Sequence, residues 1–496
     1  MFEKYTDAQT FARIREYDSV TAMWQDKVAE FGGVVAIEDA GERYTYARID
    51  EEVASLRGVL LAKGIKKGDC VGVFAPNSFA FVRAYLAVVT AGAVAVLLPP
   101  HLDETTVFGC SLKFSLKALV VADELRAKTA FAAEKNPRLT LIGCGEAGDP
   151  APAVPAAGED GCAVLFTGGT TGKSKGALLS HRAVMAGTRN GCYGIRKVFG
   201  LRYLLVLPLT HVFGLIRNLM TSLYTGSTLF ICRNNKDMFK DIAVFRPDIL
   251  VLVPALAEMA LGLSKQFGRN MLGDSLKTII CGAAFVPPYL IAEYKKLGVS
   301  LFPGYGLTES ANLVSGNAET ETKPDSVGYP YPGQELKIVD GELWLKGTNM
   351  MSGYVGDEEE NRAAYSDGWF RTGDLVRMDE DGFLYIVGRI KEVIVLSTGE
   401  NISPAEIENK FDSHPAVQDC LVYAKTENGK ELLVLEVLPR RSELAKADAA
   451  DKEAYLKEEL NKINQTLPSF ARVSRIIIRE TDFKRSPSMK ILRNGQ

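Results

Sequence analysis

The chain has 496 residues, of which 47% are hydrophobic, and this length exceeds what a single hydrophobic core usually supports. Two or more domains are therefore expected. The formal net charge of −3 at pH 7 excludes a general electrostatic attraction to nucleic acid or to anionic membranes, so ligands must be inferred from local sites.

The cysteines and the first residues of the chain indicate the cellular compartment of the protein. Eight cysteines are scattered without a CxxC pair or a His/Cys cluster, which predicts reduced, mostly buried thiols. Residues 1–7 are polar and acidic, where a signal peptide would be basic and then apolar, so we expect a cytoplasmic protein. The apolar run 84–98 is too short to span a bilayer, and no transmembrane segment is expected.

In chain order, residues 18–61 predict a helix, a short strand hairpin and a second helix, followed by a buried strand at 69–74. Helices and short apolar strands then alternate, as expected for parallel sheets covered by helices. These strands are predicted at 118–121, 163–166, 203–206, 249–252 and 278–280. Residues 143–161 are rich in Gly, Ala and Pro and predict a surface connection.

After Gly328 the pattern changes to short strands separated by turns, which predicts a β-rich subdomain. Its strands are predicted at 335–339, 342–346 and 383–387. Beyond Gly388 a mixed unit is expected. Its predicted elements are a helix at 403–411, strands at 418–424 and 432–438, and one charged helix at 443–465.

The predicted fold class is α/β, with a large N-terminal domain of helix-covered sheets plus the β-rich subdomain at residues 1–388. A hinge is predicted at 389–391. A small mobile α+β C-terminal domain is predicted at 392–496.

One segment, Phe166-Thr-Gly-Gly-Thr-Thr-Gly-Lys-Ser-Lys-Gly176, has the composition of a phosphate-binding loop. Glycines let backbone N–H groups turn toward one anion, hydroxyls donate further hydrogen bonds, and lysine supplies positive charge. The loop follows a predicted strand, and ligands of open α/β sheets sit beyond strand carboxyl ends. We therefore predict an ATP site. The Walker pattern needs a glycine where Thr167 stands, so a Walker-type NTPase or kinase is kept as an alternative from another class.

Further motifs follow the glycine loop at wide separations. They are Gly304-Tyr-Gly-Leu-Thr-Glu-Ser310, Gly368-Trp-Phe-Arg-Thr-Gly-Asp374, Gly388-Arg-Ile-Lys-Glu-Val-Ile394 and Pro487-Ser-Met-Lys-Ile-Leu-Arg493. In this order, the set resembles the AMP-forming adenylating enzymes, a superfamily of acyl-CoA synthetases, carrier-loading adenylation domains and luciferases. The resemblance covers nearly the whole chain and is greatest to the acyl-CoA synthetases.

The resemblance implies a nucleotide site made of the glycine loop and the second motif. The loop would hold the β- and γ-phosphates through Thr167, Gly168, Gly169, Thr170, Thr171, Gly172 and Lys175. Tyr305, between Gly304 and Gly306, would stack on adenine, Thr308 would bind the α-phosphate, and Glu309 would help to hold Mg²⁺. A magnesium ion bound to phosphates usually needs only one or two protein carboxylates, which agrees with this assignment.

The later motifs imply roles for three charged residues. Asp374 would accept both ribose hydroxyls, for which a carboxylate is suited. Arg389 would contact the nucleotide at the domain junction. Lys490 would enter the active site during adenylation and bridge the attacking carboxylate and the phosphate oxygens. Met489 stands where the superfamily usually has glycine, which restricts the backbone before this lysine.

The acid pocket is expected around His211, a gating or pocket position in the resemblance and a candidate catalytic residue, and near Ala283, a candidate cofactor-binding residue. No acidic residue occurs at 211–224 or 281–290, so an α-amino acid, whose ammonium would be buried unpaired, is disfavoured. Fatty and aryl acids both suit an apolar pocket. Arg217 could meet a distal substrate carboxylate, but it lies off the helical face of His211 and Leu215, and an ordinary salt bridge is favoured.

The resemblance implies an acid–thiol ligase that uses ATP and Mg²⁺. A carboxylic acid would react with ATP to give acyl-AMP and pyrophosphate, and the thiol of CoA would then displace AMP. The alternative is a stand-alone enzyme that loads the acid onto the phosphopantetheine of a carrier protein, since both acceptors present the same thiol.

Overall fold

The structure is a computed structural model that describes residues 2–167, 175–395, 401–427, 430–485 and 491–493. Two large sheets form the centre of the molecule. The first runs, in spatial order, through Tyr329–Pro330, Ser315–Gly316, Ser300–Tyr305, Thr278–Cys281, Ile249–Leu252, Arg202–Leu205, Thr228–Ile231, Val35–Asp39 and Glu42–Thr45. The second runs through Gly353–Tyr354, Lys175–Ser180, Gly161–Thr167, Val94–Leu97, Cys70–Phe74, Ala118–Val121 and Thr140–Gly143.

Helices cover and separate these sheets. They are Ala8–Arg13, Val20–Phe31, Tyr46–Ala62, Phe79–Thr90, Glu104–Lys113, Ala130–Lys135, His181–Asn190, Phe213–Met220, Thr221–Tyr224, Met238–Phe245, Pro254–Phe267 and Pro288–Lys296. Phe79–Thr90 is buried around nearly its whole circumference, as expected of a helix between two sheets. One hydrophobic core joins it to both sheets through residues such as Val73, Leu86 and Leu205.

The β-rich subdomain follows the first sheet. Its strands are Gln334–Val339, Glu342–Gly347, Trp369–Met378, Tyr365–Ser366 and Leu384–Arg389, and its helix is Glu358–Ala364. Trp369–Met378 and Leu384–Arg389 are antiparallel, and their register places Asp374 opposite Arg389.

The remaining residues form a small α+β unit with a core of its own, which includes Phe411, Leu435 and Leu456. Its strands are Ile394–Val395, Asn401–Ile402, Val417–Glu427, Lys430–Pro439 and Arg475–Ile478, and its helices are Pro404–Asp412, Arg441–Leu444 and Lys452–Thr466. The expected α/β class with a large and a small unit is confirmed. The boundary at 389–391 stays a prediction.

One element of the small unit was predicted wrongly. The single charged helix expected at 443–465 is two helices, Arg441–Leu444 and Lys452–Thr466. Asp451 begins the second, because its Oδ1 accepts hydrogen bonds from the backbone N–H groups of Glu453 and Ala454, both at 3.0 Å. A side chain that caps a helix start breaks a helical pattern that composition alone would continue.

The prediction of reduced, mostly buried thiols agrees with the structure, because every cysteine is free and all except Cys70 are buried. Within the residues described above, no helix combines the length and the apolar character needed to cross a membrane.

Candidate active site

A cavity of about 2030 Å³ opens where both large sheets and the β-rich subdomain meet. Strands of the two sheets end at its wall with Thr167 and Tyr305, and Ala283 follows the end of a third strand there. Ligands of α/β sheets bind at such strand ends. The structure therefore brings the separate sequence motifs to one cleft.

One end of the cavity collects the groups predicted to bind phosphate. Thr167 faces Lys175 in the register of the hairpin that carries the glycine loop. The Lys175 ammonium forms an ion pair with Glu360 and lies 4.8 Å from the centroid of the Tyr354 ring. The predicted contacts Gly168, Gly169, Thr170, Thr171 and Gly172 lie outside the described residues.

The Glu309 carboxylate lies at the same end. Its Oε1 accepts a hydrogen bond of 2.7 Å from the hydroxyl of Tyr354. Burial raises the pKa of Tyr354, and the charge of Glu309 raises it further, so the hydroxyl stays protonated as a donor. Glu309 and Glu360 both line the cavity, which gives the one or two carboxylates that a phosphate-bound Mg²⁺ requires.

The turn after Tyr305 has little steric freedom. A Cβ at Gly306 would overlap the carbonyl oxygen of Asn312, so only glycine fits there. The Ser310 hydroxyl closes the turn by accepting a hydrogen bond of 3.1 Å from the backbone N–H of Leu307. Gly304, Gly306 and Thr308 line the cavity, and Thr308 is 8% exposed.

The nucleoside end is built around Asp374, which is 2% exposed. Its Oδ2 accepts a hydrogen bond of 2.5 Å from the hydroxyl of Tyr305, and its Oδ1 lies 2.9 Å from Nε of Arg389. Burial raises the pKa of Tyr305, and the charge of Asp374 adds to the rise. Asp374 raises the pKa of Arg389 as well. The network thus pairs a buried carboxylate with two protonated donors.

Asp374 itself does not line the described cavity. Tyr305, Thr372, Gly373 and Arg389 line the cavity as described, whereas Asp374 lies behind them. Its Oδ2 already accepts a hydrogen bond and its Oδ1 already forms an ion pair inside the protein. A ribose would therefore have to displace one of these donors to reach the carboxylate.

The acid end is formed by His211 and Ala283, both of which line the cavity. Nδ1 of His211 accepts a hydrogen bond of 3.3 Å from the backbone N–H of Phe213, which orients the ring. Ala283 has φ of 68°, a left-handed conformation that is unusual for alanine and typical of functional sites.

Arg217 lies on the helix Phe213–Met220, which has π-helical hydrogen bonding, and also lines the cavity. It is 2% exposed. An ordinary salt bridge was predicted for it, but no Asp or Glu among the described residues pairs with its guanidinium. The prediction came from the spacing of residues on one helix, which does not show that the fold buries this charge.

Sequence reasoning also missed Glu360 and Tyr354. Glu360 belongs to an acidic run at the start of Glu358–Ala364, where carboxylates usually serve the helix terminus. Its contact with Lys175 joins residues far apart in sequence. A single sequence carries no signal for such a pair.

Lys490 lies outside the described residues. Ile491, Leu492 and Arg493, which follow it in the chain, line the cavity. Arg493 is held by Glu392 at 3.0 Å and by Glu408 at 2.6 Å.

Two family models and several known proteins match this chain. The family model "AMP-binding enzyme" matches residues 24–355, and "AMP-binding enzyme C-terminal domain" matches residues 391–495. A feruloyl-CoA synthase from Amycolatopsis sp is 31% identical over 409 residues, which cover 78% of this chain and 82% of that protein. A 4-coumarate–CoA ligase-like protein from Oryza sativa subsp. japonica is 30% identical over 516 residues, covering 93% and 85%.

Solved structures have the same fold. The anthranilate CoA ligase AuaEII in complex with anthranoyl-AMP superposes with a TM-score of 0.85 at 21% identity, covering 96% of each chain. An ATP-bound RpMatB-BxBclM chimera superposes with a TM-score of 0.83 at 25% identity, covering 97% of this chain and 98% of that one.

Proposed function

Because this chain belongs to the AMP-binding enzyme family, we propose that the cavity described above carries out both half-reactions of an acyl-CoA synthetase. ATP activates a carboxylic acid as acyl-AMP with release of pyrophosphate, and the thiol of CoA then displaces AMP. The observation that carries this assignment is the shared cavity that Lys175, Glu309, Tyr305, Arg389 and His211 all line.

The nucleoside binds where Tyr305 and Arg389 cover Asp374. The Tyr305 ring is the surface on which adenine stacks, and its hydroxyl already donates to Asp374. Ribose hydroxyls are donors of the same kind, so they can replace the protein donors on the carboxylate at little net cost in hydrogen bonds. Arg389 then becomes free to contact the nucleotide.

The phosphates bind at the Lys175 end. Lys175 leaves Glu360 for the β- and γ-phosphates, because a polyphosphate carries more negative charge than one carboxylate. Thr308 contacts the α-phosphate. Glu309 and Glu360 fit a Mg²⁺ ion, which would neutralise phosphate charge during the reaction.

In the chemical step, a carboxylate oxygen of the acid forms a bond to the α-phosphorus as the bond to pyrophosphate breaks. Lys490 is the cation that we assign to this step, and it bridges the attacking carboxylate and the phosphate. The hinge predicted at 389–391 then lets the small unit turn, so that Lys490 leaves and the thiol enters.

The acid is a fatty or aryl acid without an α-ammonium group. The acidic residues that line the described part of the cavity, Glu309, Glu342, Glu360 and Glu392, lie at its nucleotide end. An ammonium near His211 would therefore be buried without a partner, which is costly. The feruloyl- and 4-coumarate-CoA relatives support an aromatic acid.

Acid-dependent pyrophosphate release tests this proposal. The purified protein with Mg²⁺ and ATP is given fatty, aryl and amino acids, and CoA or a phosphopantetheinylated carrier protein serves as acceptor. We expect pyrophosphate, AMP and an acyl-CoA. Release of ADP and phosphate alone would contradict the proposal and favour the Walker-type alternative. A clear preference for an amino acid over its deaminated analogue would contradict the assignment of the pocket.

A further inference from the structure

Arg217 is a buried cation for which the described part of the chain offers no anion. It is 2% exposed, and its Nη1 has no hydrogen-bond partner. No carboxylate in the described ranges, 2–167 and 175–395 included, forms an ion pair with it. Buried charges in proteins are nearly always paired, because an unpaired charge away from water costs several kcal/mol. The arginine therefore calls for an anionic partner that the described residues do not supply.

Two tyrosines, Tyr203 and Tyr331, are influenced by the charge of Arg217. Burial raises the pKa of the Tyr203 hydroxyl, and the positive charge of Arg217 partly offsets this rise, which places the two groups close together. The same opposing effects act on Tyr331, whose pKa burial raises to about 12. Tyrosines that stay protonated can share a hydrogen bond with a guanidinium, but they cannot neutralise it.

The position of Arg217 relates it to the acid rather than to ATP. Phe213 begins the helix that carries Arg217 and packs beside Gly282. Gly282 and Ala283 directly follow the strand Thr278–Cys281. Arg217 comes about one helical turn later on the same helix. Tyr193 and Tyr331 line the cavity with it, and Phe2 stacks on Tyr331 with ring centroids 4.8 Å apart.

We propose that Arg217 binds a second carboxylate at the distal end of the acid substrate, so that the preferred substrate is a dicarboxylic acid with an apolar or aromatic middle. This rests on the proposed function, since the first carboxylate is the one that ATP activates. The planar guanidinium can hold the distal carboxylate by two parallel hydrogen bonds. The apolar wall between His211 and Arg217 contacts the middle of the substrate.

The test uses diacids beside their own monomethyl esters. The ester keeps the length and shape of the acid and removes only the distal charge. Straight-chain and aromatic diacids are each compared with their monoesters by kcat/KM for acid-dependent pyrophosphate release. Wild-type protein is expected to favour the best diacid over its monoester by roughly 10- to 100-fold, the effect of a charge-assisted hydrogen bond.

Variants assign this preference to the guanidinium. Arg217→Met removes the charge at similar length and should reduce the ratio of diacid to monoester to about one or below, while Arg217→Lys should restore part of it. Asn218→Leu is the matched control, because Asn218 is equally buried on the same helix but does not line the described cavity. It should leave the ratio unchanged. ATP affinity, measured by calorimetry, should be the same in all four proteins.

The outcomes separate the two proposals. If wild-type protein releases pyrophosphate with monocarboxylic acids or monoesters but favours no diacid, the role of Arg217 is overturned and the proposed function stands. The role is also overturned if Arg217→Met keeps the wild-type ratio. If the protein binds ATP but releases no pyrophosphate with any acid, diacids included, the proposed function itself fails.

Discussion

Asp374 gives the sharpest test of the nucleotide site, because it is buried behind the two donors that it binds. If ribose displaces these donors, the carboxylate must contribute to ATP binding through the ribose hydroxyls. Each charge-assisted hydrogen bond contributes about 1.5–3 kcal/mol, or roughly 10- to 150-fold in affinity. Asp374→Asn removes the charge and keeps the shape, so it should weaken ATP binding by that factor.

The assay measures the affinities of wild-type protein and Asp374→Asn for ATP, 2′-deoxy-ATP and 3′-deoxy-ATP. It thus combines a change in the protein with a change in the ligand. Wild-type protein should bind at least one deoxy analogue roughly 10-fold or more weakly than ATP. In Asp374→Asn this difference should shrink to about 2-fold or less, because the hydroxyl and the carboxylate no longer couple. Asp381→Asn, at an exposed carboxylate that pairs with Lys323, is the control and should leave every affinity unchanged.

Tyr305→Phe tests whether ribose competes with the Tyr305 hydroxyl for Asp374. It keeps the aromatic face and removes the hydroxyl that occupies Oδ2 of Asp374. Stability should fall by about 1–2 kcal/mol, because a buried acceptor loses its donor. ATP affinity should not fall, because ribose no longer competes with the hydroxyl. An equal loss of ATP and deoxy-ATP affinity in Asp374→Asn would refute direct recognition of ribose and leave Asp374 as a support for Tyr305 and Arg389.

Other predictions address the remaining charged groups. Lys490→Ala should slow acyl-AMP formation by about 10²–10³-fold and leave thiol capture of supplied acyl-AMP nearly unchanged; equal slowing of both steps would contradict the alternation of the small unit. Lys175→Ala should weaken ATP binding roughly 10-fold or more but not AMP binding, because AMP lacks the β- and γ-phosphates; calorimetry measures both, and a parallel loss would exclude the phosphate role. Burial lowers the pKa of His181 from 6.5 to about 4, so the folded protein binds fewer protons than the unfolded chain between these values. The free energy of unfolding, measured with urea, should therefore be unaffected by His181 above pH 6.5 and fall by about 3 kcal/mol toward pH 4. His181→Gln should lose this part of the pH dependence.

Local sequence patterns predicted the strands well. Ala118–Val121 and Ile249–Leu252 have the predicted bounds, because each is a short apolar run that is buried on both faces and follows a charged residue. The motifs around Tyr305 and Asp374 were also assigned to one nucleotide site, and the structure joins them by a hydrogen bond. Such assignments succeed where the chemistry is encoded within a few consecutive residues.

The features that were missed depend on contacts between distant segments. Glu360 pairs with Lys175, and the charge of Arg217 acts on Tyr203 and Tyr331 from other parts of the chain. A helical wheel places Arg217 away from His211, but the helix from Phe213 has π-type hydrogen bonding, which changes the angle between successive side chains. Neither long-range burial nor a local change of helix type can be read from residue spacing alone.

The way the two units meet bears on how one site can serve two reactions. The small unit has a hydrophobic core of its own, and the described contacts across the boundary include polar ones. Arg440 of the small unit donates a hydrogen bond of 2.6 Å to the hydroxyl of Tyr289 and lies 3.3 Å from Glu258. Burial raises the pKa of Glu258, and the charge of Arg440 opposes the rise. Water can replace such contacts at a net cost of about 1.5–3 kcal/mol for each hydrogen bond to a charged group, far less than opening a hydrophobic core. The small unit can therefore change its contacts without unfolding, which is the property that alternation between adenylation and thiol transfer requires.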